Sequence, residues 1–180
     1  MLEDYTFENA HTFVGREMAL SDWVEIDQEQ VTKFGEVTRW TPKGHVDRVW
    51  AEREGPYGGT LVHGFFMLSL ITYFLDNAKV RPSGVAYTLN YGLDKVRVIQ
   101  PVVVGDGGRL RDRISLLDVS DRGEGRKLFK IGHSIEIDGC DKPAGFAEYL
   151  NYVFAEQRDG PGFVYSAETR SRTAGPAGSG

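Results

Sequence analysis

One long apolar helix followed by a series of strand-length segments predicts an α+β fold in which an antiparallel sheet wraps a central helix. Three observations carry this. Leu61 to Ala78 is apolar nearly all round, interrupted only by Ser69 and Thr72 before Asp76, which is the pattern of a buried helix. From Gly84 onward five runs read as strands: Val85 to Tyr91, Lys95 to Val104, Arg109 to Val119, Lys127 to Ile137 and Ala144 to Phe154. Their separators, PVVVGDGG, SDRGEG and DGCDKP, are rich in turn residues.

The earlier elements follow in order. Glu17 to Ile26 carries Met18, Leu20, Trp23, Val24 and Ile26, an early strand of imperfect alternation. Asp27 has the chemistry of a helix N-cap, with Glu29 in the first turn and Gln30 at the capping-box position. The helix DQEQVTKFGEVT is expected to bury Val31, Phe34 and Val37. Pro42 and Gly44 end it, which leaves His45 on an irregular segment. The breakers Gly55-Pro56 and Gly58-Gly59 then precede the long helix. Residues 1–156 read as one domain. Residues 157–180, ending SAETRSRTAGPAGSG, lack the apolar surface to offset chain entropy and read as a disordered tail.

Composition excludes several function classes. The chain has 180 residues, 41% of them hydrophobic, and a formal charge of −5, which suits a globular core and gives no basic stripe for nucleic acid. Cys140 is the sole cysteine, so an intrachain disulfide and a cysteine-based metal cluster are both excluded. The longest apolar stretch is too short to span a bilayer, and the N-terminus lacks a basic segment followed by an apolar run. A cytoplasmic setting, with no membrane contact, is the expectation.

The stretch from Phe34 to Leu75 holds HVD (His45 to Asp47) and then GPYGGTLVHGFFMLSL (Gly55 to Leu70). This resembles the hydratase signature of MaoC-like hot-dog proteins. NYGLDKVRVIQPVVVGD (Asn90 to Asp106) is similar to the strand pair after the helix in the nodulation-protein-N branch of that family, and the likeness covers roughly Phe13 to Phe154. It implies a hot-dog fold, a homodimer joined sheet edge to sheet edge, and a lyase acting on an acyl chain carried by CoA or an acyl-carrier protein. No cofactor and no metal are implied. An edge-to-edge dimer also covers the open edge of the sheet.

The same resemblance assigns the site. His45 matches the family's acid–base histidine, and an imidazole can move a proton either way near neutrality. Gly64 matches the glycine whose N–H, at the start of the helix, faces the thioester oxygen, where helix-end N–H groups suit developing negative charge. Thr72 matches a small hydroxyl residue that holds the catalytic histidine in some relatives. Trp40, His63 and Phe65 are the expected substrate-contacting residues, His63 bonding the backbone of the irregular segment.

One departure bears on the reaction. The family's catalytic Asp, five residues before the histidine, is here Trp40, and Arg39, Pro42 and Lys43 replace its usual neighbours. An indole accepts no proton, and loss of one acid–base partner typically costs about 10²- to 10⁴-fold in rate. A tryptophan also fills the space of the Asp and its water. Glu36, Asp47, Glu52 and Glu54 are the nearest acidic residues in sequence. This favours a changed reaction on a polyketide-like acyl group, dehydration, isomerisation or cyclisation, over simple hydration. A non-catalytic partner subunit is the alternative. A thioesterase fits less well, because the helix from Leu61 to Leu75 has no acidic residue.

Overall fold

In the computed structural model, which describes residues 4–105 and 108–156, Asp27 opens the first helix, α1 (Gln28–Val37), through a reciprocal cap. Its carboxylate accepts from the Gln30 N–H at 2.8 Å, and the Gln30 side chain accepts from the Asp27 N–H at 3.0 Å. Two of the four N–H groups a helix start leaves unpaired are thereby satisfied. Val31 and Gly35 are buried, but Val37 is 79% exposed. The expectation that it packs inward fails because it sits about 120° around the helix from Val31. The expected early strand is also broken, into β1 (Glu17–Leu20) and β2 (Val24–Glu25), both paired with the later strand Arg109–Asp121.

The segment after Pro42 is helical where an irregular stretch was expected. It forms α2 (Lys43–Val46) and α3 (Arg48–Arg53), joined at Asp47, whose Oδ1 accepts from the Trp50 N–H at 3.0 Å. Proline at the N-cap of α2 costs nothing, since no intrahelical N–H is needed there. The long helix, α4 (Gly64–Asn77), begins three residues later than the apolar run. Leu61 to His63 stay extended because their backbone is used elsewhere: Leu61 N–H bonds the Gly44 carbonyl and Val62 N–H that of Val102, both at 2.9 Å.

Four long strands complete the sheet: β3 (Val85–Val98), β4 (Arg109–Asp121), β5 (Arg126–Ile137) and β6 (Gly145–Ala155). The order is β1-β4-β5-β6-β3 with β2 beside β4, and every pairing is antiparallel. The first two expected strands are one strand in the structure. Gly92 and Asp94, which read as a break, are absorbed at irregularities in the β3–β6 register, and Ile99 to Val104 leaves the sheet.

Met67, Ile71 and Phe74 of α4 are buried in one cluster with Leu110, Ile114, Phe129, Ile135, Tyr149 and Val153 of the sheet, and Leu68 is buried as well. Full burial of each such side chain contributes about 1.5–3 kcal/mol. This is the hot-dog arrangement. The helix is not buried all round, however: Phe65, Ser69 and Tyr73, four residues apart, form an exposed stripe. Leu89, Tyr91 and Leu93 of the edge strand β3 are exposed as well. Among the described residues, no helix is long and apolar enough to cross a membrane.

Within the core, Asp112 of β4 and His133 of β5 are fully buried, with His133 Nδ1 2.5 Å from Asp112 Oδ2. Burial pushes the Asp112 carboxyl above its ordinary range, against the downward pull of the His133 hydrogen bond. Removing one partner strands the other. We expect His133→Leu to lower unfolding free energy by about 3–5 kcal/mol and the double variant Asp112→Leu/His133→Leu to recover most of it. Urea denaturation at neutral pH measures both, and equal losses in the two variants would show that the pair acts only as packing volume.

Candidate active site

His45 sits on α2, half-buried, with its ring fixed from one side. Nδ1 lies 2.7 Å from the Leu61 carbonyl oxygen. A carbonyl only accepts, so Nδ1 carries the hydrogen, and in the neutral ring Nε2 holds the lone pair. The fixed tautomer makes Nε2 the proton acceptor. The backbone of His45 is fixed too: its carbonyl accepts from Gln28 Nε2 at 2.7 Å, and the Gln28 amide oxygen accepts from the Thr60 hydroxyl. Gln28 thus ties α1, α2 and the segment before α4 together. No motif singled it out, since its partners stand 17 and 32 residues away.

His63 stacks on His45, with centroids 3.8 Å apart and planes 19° from parallel. It is 2% exposed, and neither ring nitrogen has a hydrogen-bond partner among the described residues. The expected bond to the backbone of the irregular segment is not made; the backbone group acting on the ring is that of Val31 in α1. Phe34 and Trp40 flank it at 5.2 and 5.6 Å, and an added Cβ on Gly35 would come within 3.4 Å of its Nε2. Burial, with the nearby His45 adding to it, holds His63 below the ordinary histidine range, against a weaker upward pull from the Val31 backbone. A neutral ring is thus the stable form.

His63 is also the N-cap of α4 and supplies no side-chain cap. The first N–H groups of the helix, Gly64 included, have no partner among the described residues. They bring partial positive charge beside the imidazole pair. Gly64 has a packing role as well, because an added Cβ would lie 3.0 Å from Val98.

Trp40 is near both rings, 5.3 Å from His45 and 5.6 Å from His63, yet it is 58% exposed. The expectation that it fills the pocket is corrected: it leans over the imidazole pair with one side in solvent. Phe65 is 80% exposed on the outer stripe of α4. Thr72 lies about 12 Å further along the helix than Gly64. Its hydroxyl donates to the Ser69 carbonyl at 3.2 Å, so it does not hold the His45 of its own chain; the Leu61 carbonyl does. Asp47 caps α3, Glu52 pairs with Arg48 at 2.6 Å, and Glu36 and Glu54 are exposed. None is bonded to His45. No group of three or more metal-ligating side chains occurs among the described residues.

The arrangement offers one acid–base nitrogen beside a set of unpaired helix-end N–H groups. Those are the two requirements for making and quenching an enolate. Comparison with known proteins shows which sequences and folds the chain resembles. A family model described as MaoC like domain matches residues 9–127. The 3-hydroxyacyl-thioester dehydratase Z of Mycobacterium tuberculosis (strain ATCC 25618 / H37Rv) is 40% identical over 136 residues, 76% of this chain and 87% of that one. Nodulation protein N of Rhizobium leguminosarum bv. viciae is 33% identical over 150 residues, 82% of this chain and 91% of that one. Among solved structures, a MaoC-like dehydratase from Rhodospirillum rubrum matches with a TM-score of 0.63 at 16% identity, over 80% of this chain and 94% of its own. The (R)-hydratase from A. caviae involved in PHA biosynthesis matches with a TM-score of 0.58 at 16% identity, over 76% and 95%.

The buried His63 has a consequence for stability. Its folded pKa is lowered, so the unfolded chain takes up this proton at higher pH than the folded chain does. Stability is full above about pH 6.5 and falls as pH drops through and below that value. We expect His63→Phe, which keeps a flat ring against His45, to lose less stability than wild type between about pH 7 and pH 5. Thermal denaturation at the two pH values checks this, and parallel losses would show that His63 is not a buried neutral group.

Proposed function

Because this chain belongs to the MaoC-like family, we propose that it is a dehydratase-type enzyme acting on an acyl thioester carried by CoA or an acyl-carrier protein. The observation that carries this is His45 Nδ1 pinned to the Leu61 carbonyl beside the unpaired N–H groups at the start of α4. In this reading the thioester oxygen accepts from the Gly64 N–H and His45 Nε2 faces C2 of a 3-hydroxyacyl group. Nε2 removes the C2 proton, and the electron pair moves onto the thioester oxygen as an enolate. Its collapse forms the C2–C3 double bond and breaks the C3–O bond. The imidazolium returns its proton to the departing oxygen, and water leaves. One base suffices because it takes and gives the same proton.

Elimination and hydration share one transition state, so the carboxylate that would hold and aim the water is missing in both directions, and the Trp40 indole does not replace it. The substrate's own equilibrium sets the direction: the reading is elimination from a 3-hydroxyacyl thioester, or double-bond isomerisation or cyclisation of a polyketide-like acyl group, which need no bound water, with hydration of short enoyl thioesters slow. His63, stacked behind His45, keeps the working ring in place, and Trp40 forms the outer wall. A homodimer belongs to the same reading: among the described residues β3 is an edge strand exposing Leu89, Tyr91 and Leu93, and a second copy gives that edge a partner.

Two measurements test the reaction. Wild-type hydration of crotonyl-CoA is expected to be slow, and Trp40→Asp to raise it about 10-fold or more, within the range set by a restored acid–base partner. His45→Ala is expected to lower turnover of a 3-hydroxyacyl thioester by at least about 10²-fold with the fold intact. Unchanged turnover in His45→Ala would sink the catalytic role and leave the partner-subunit reading. Small-angle scattering is expected to give a dimer for wild type and a monomer for Tyr91→Glu/Leu93→Glu; a wild-type monomer would remove the edge-to-edge assembly.

A further inference from the structure

A cleft of about 190 Å³ lies beneath the C-terminal half of α4, against β3, β5 and β6. Its floor is apolar, from Phe129, Ile131 and Val153, as the core face of the sheet should be. Into this face, however, project Asn90, Tyr149 and Asn151. Asn90 and Asn151 are register partners on β3 and β6, and Tyr149 stands two residues from Asn151 on the same side of β6. They form a relay in which Asn151 Nδ2 donates to the Tyr149 hydroxyl at 2.7 Å and Tyr149 donates to Asn90 Oδ1.

The relay ends in a loose end. Asn151 is 8% exposed, and its Oδ1 has no hydrogen-bond partner among the described residues, although the residue lines the cleft. Leaving a buried amide oxygen unsatisfied is destabilising, and an apolar residue there would avoid that cost. The charge pattern narrows what could satisfy it. The only ionic pair in the lining is Arg81 with Asp76, joined at 3.1 Å and both exposed, so the described lining offers no unpaired cation for an anion. A neutral group is called for, and a hydroxyl, donor and acceptor at once, meets the amide.

We propose that this cleft binds a largely apolar, neutral segment that presents a hydroxyl to Asn151, with Asn90 and Tyr149 fixing the amide. Resting on the acyl-thioester reading, that segment is the distal part of the acyl chain, and the substrate class is an acyl group oxygenated well away from the thioester. Asn151 is then a specificity-determining residue. A site built to hydrogen-bond a hydroxyl discriminates strongly against the analogue lacking it, because its buried polar group is left unpaired.

Calorimetric titration of decanoyl-CoA against isomers hydroxylated at carbons 7 to 10 tests this, since none of these probes carries the 3-hydroxyl that elimination removes. At least one hydroxylated isomer is expected to bind about 10-fold or more tightly than decanoyl-CoA. Asn151→Leu is expected to abolish that preference while leaving decanoyl-CoA affinity within about threefold. Asn90→Leu, at an exposed edge position, serves as the second variant if Asn151→Leu does not fold. Equal binding of all isomers to wild type, or a preference that survives either folded variant, overturns the proposal. If no acyl-CoA binds, 1-octanol is titrated by amide NMR. Shifts confined to the cleft and lost in the variants uphold the cleft while removing the thioester reading, and their absence overturns the cleft as well.

Discussion

Met67 reaches the backbone of β6 at Gly145, where an added Cβ would lie 2.6 Å from its Cε and 3.1 Å from the Arg97 carbonyl oxygen. This close approach seats α4 on the sheet, and the start of the helix is fixed in turn by the contact of Gly64 with Val98. Interiors packed at crystal density do not slide freely. The position of the Gly64 N–H, and of His63 immediately before it, is therefore set by core packing and not by a local loop.

The same packing explains how a short, half-exposed helix can present a well-oriented imidazole. α2 has four residues, none of them fully buried. Its orientation comes from the backbone of Leu61, which accepts from His45 Nδ1 and donates to the Gly44 carbonyl, and from Gln28, which reaches across from α1. The Leu61 backbone is itself the lead-in to α4. A change that shifts the helix start therefore shifts the His45 imidazole.

Three places in the core carry polarity that stability alone does not favour: the Asp112–His133 pair, His63, and Asn151 with its relay. His63 stacks on His45, and Asn151 lines the cleft beneath the helix. Asp112 and His133 lie behind the Tyr149 ring, 5.9 Å from it at the His133 centroid. On the outer side of the sheet, polarity is handled differently. Arg111 and Arg113 share Glu136, and Arg111 also covers the Trp23 ring at 4.4 Å. Those groups keep contact with solvent and need no special partner.

The sequence by itself determined the elements whose signals are local. The Asp27–Gln30 cap lies within one helical turn, the apolar run of α4 stands out against any polar face, and the β4, β5 and β6 segments alternate between turn-rich ends. The motif around His45 and Gly64 was equally legible, because both residues lie in one short stretch. Only the tertiary structure decided that Leu61 fixes His45, that His63 stacks on it unpartnered, that Trp40 stands open to solvent, and that Thr72 belongs to a different cleft. It alone joined Asn90 to Tyr149 and Asn151 across 59 and 61 positions of chain. Each of these depends on which backbone groups the sheet and helix leave unsatisfied and on which side chains their packing brings face to face, and neither is a property of any short window of residues.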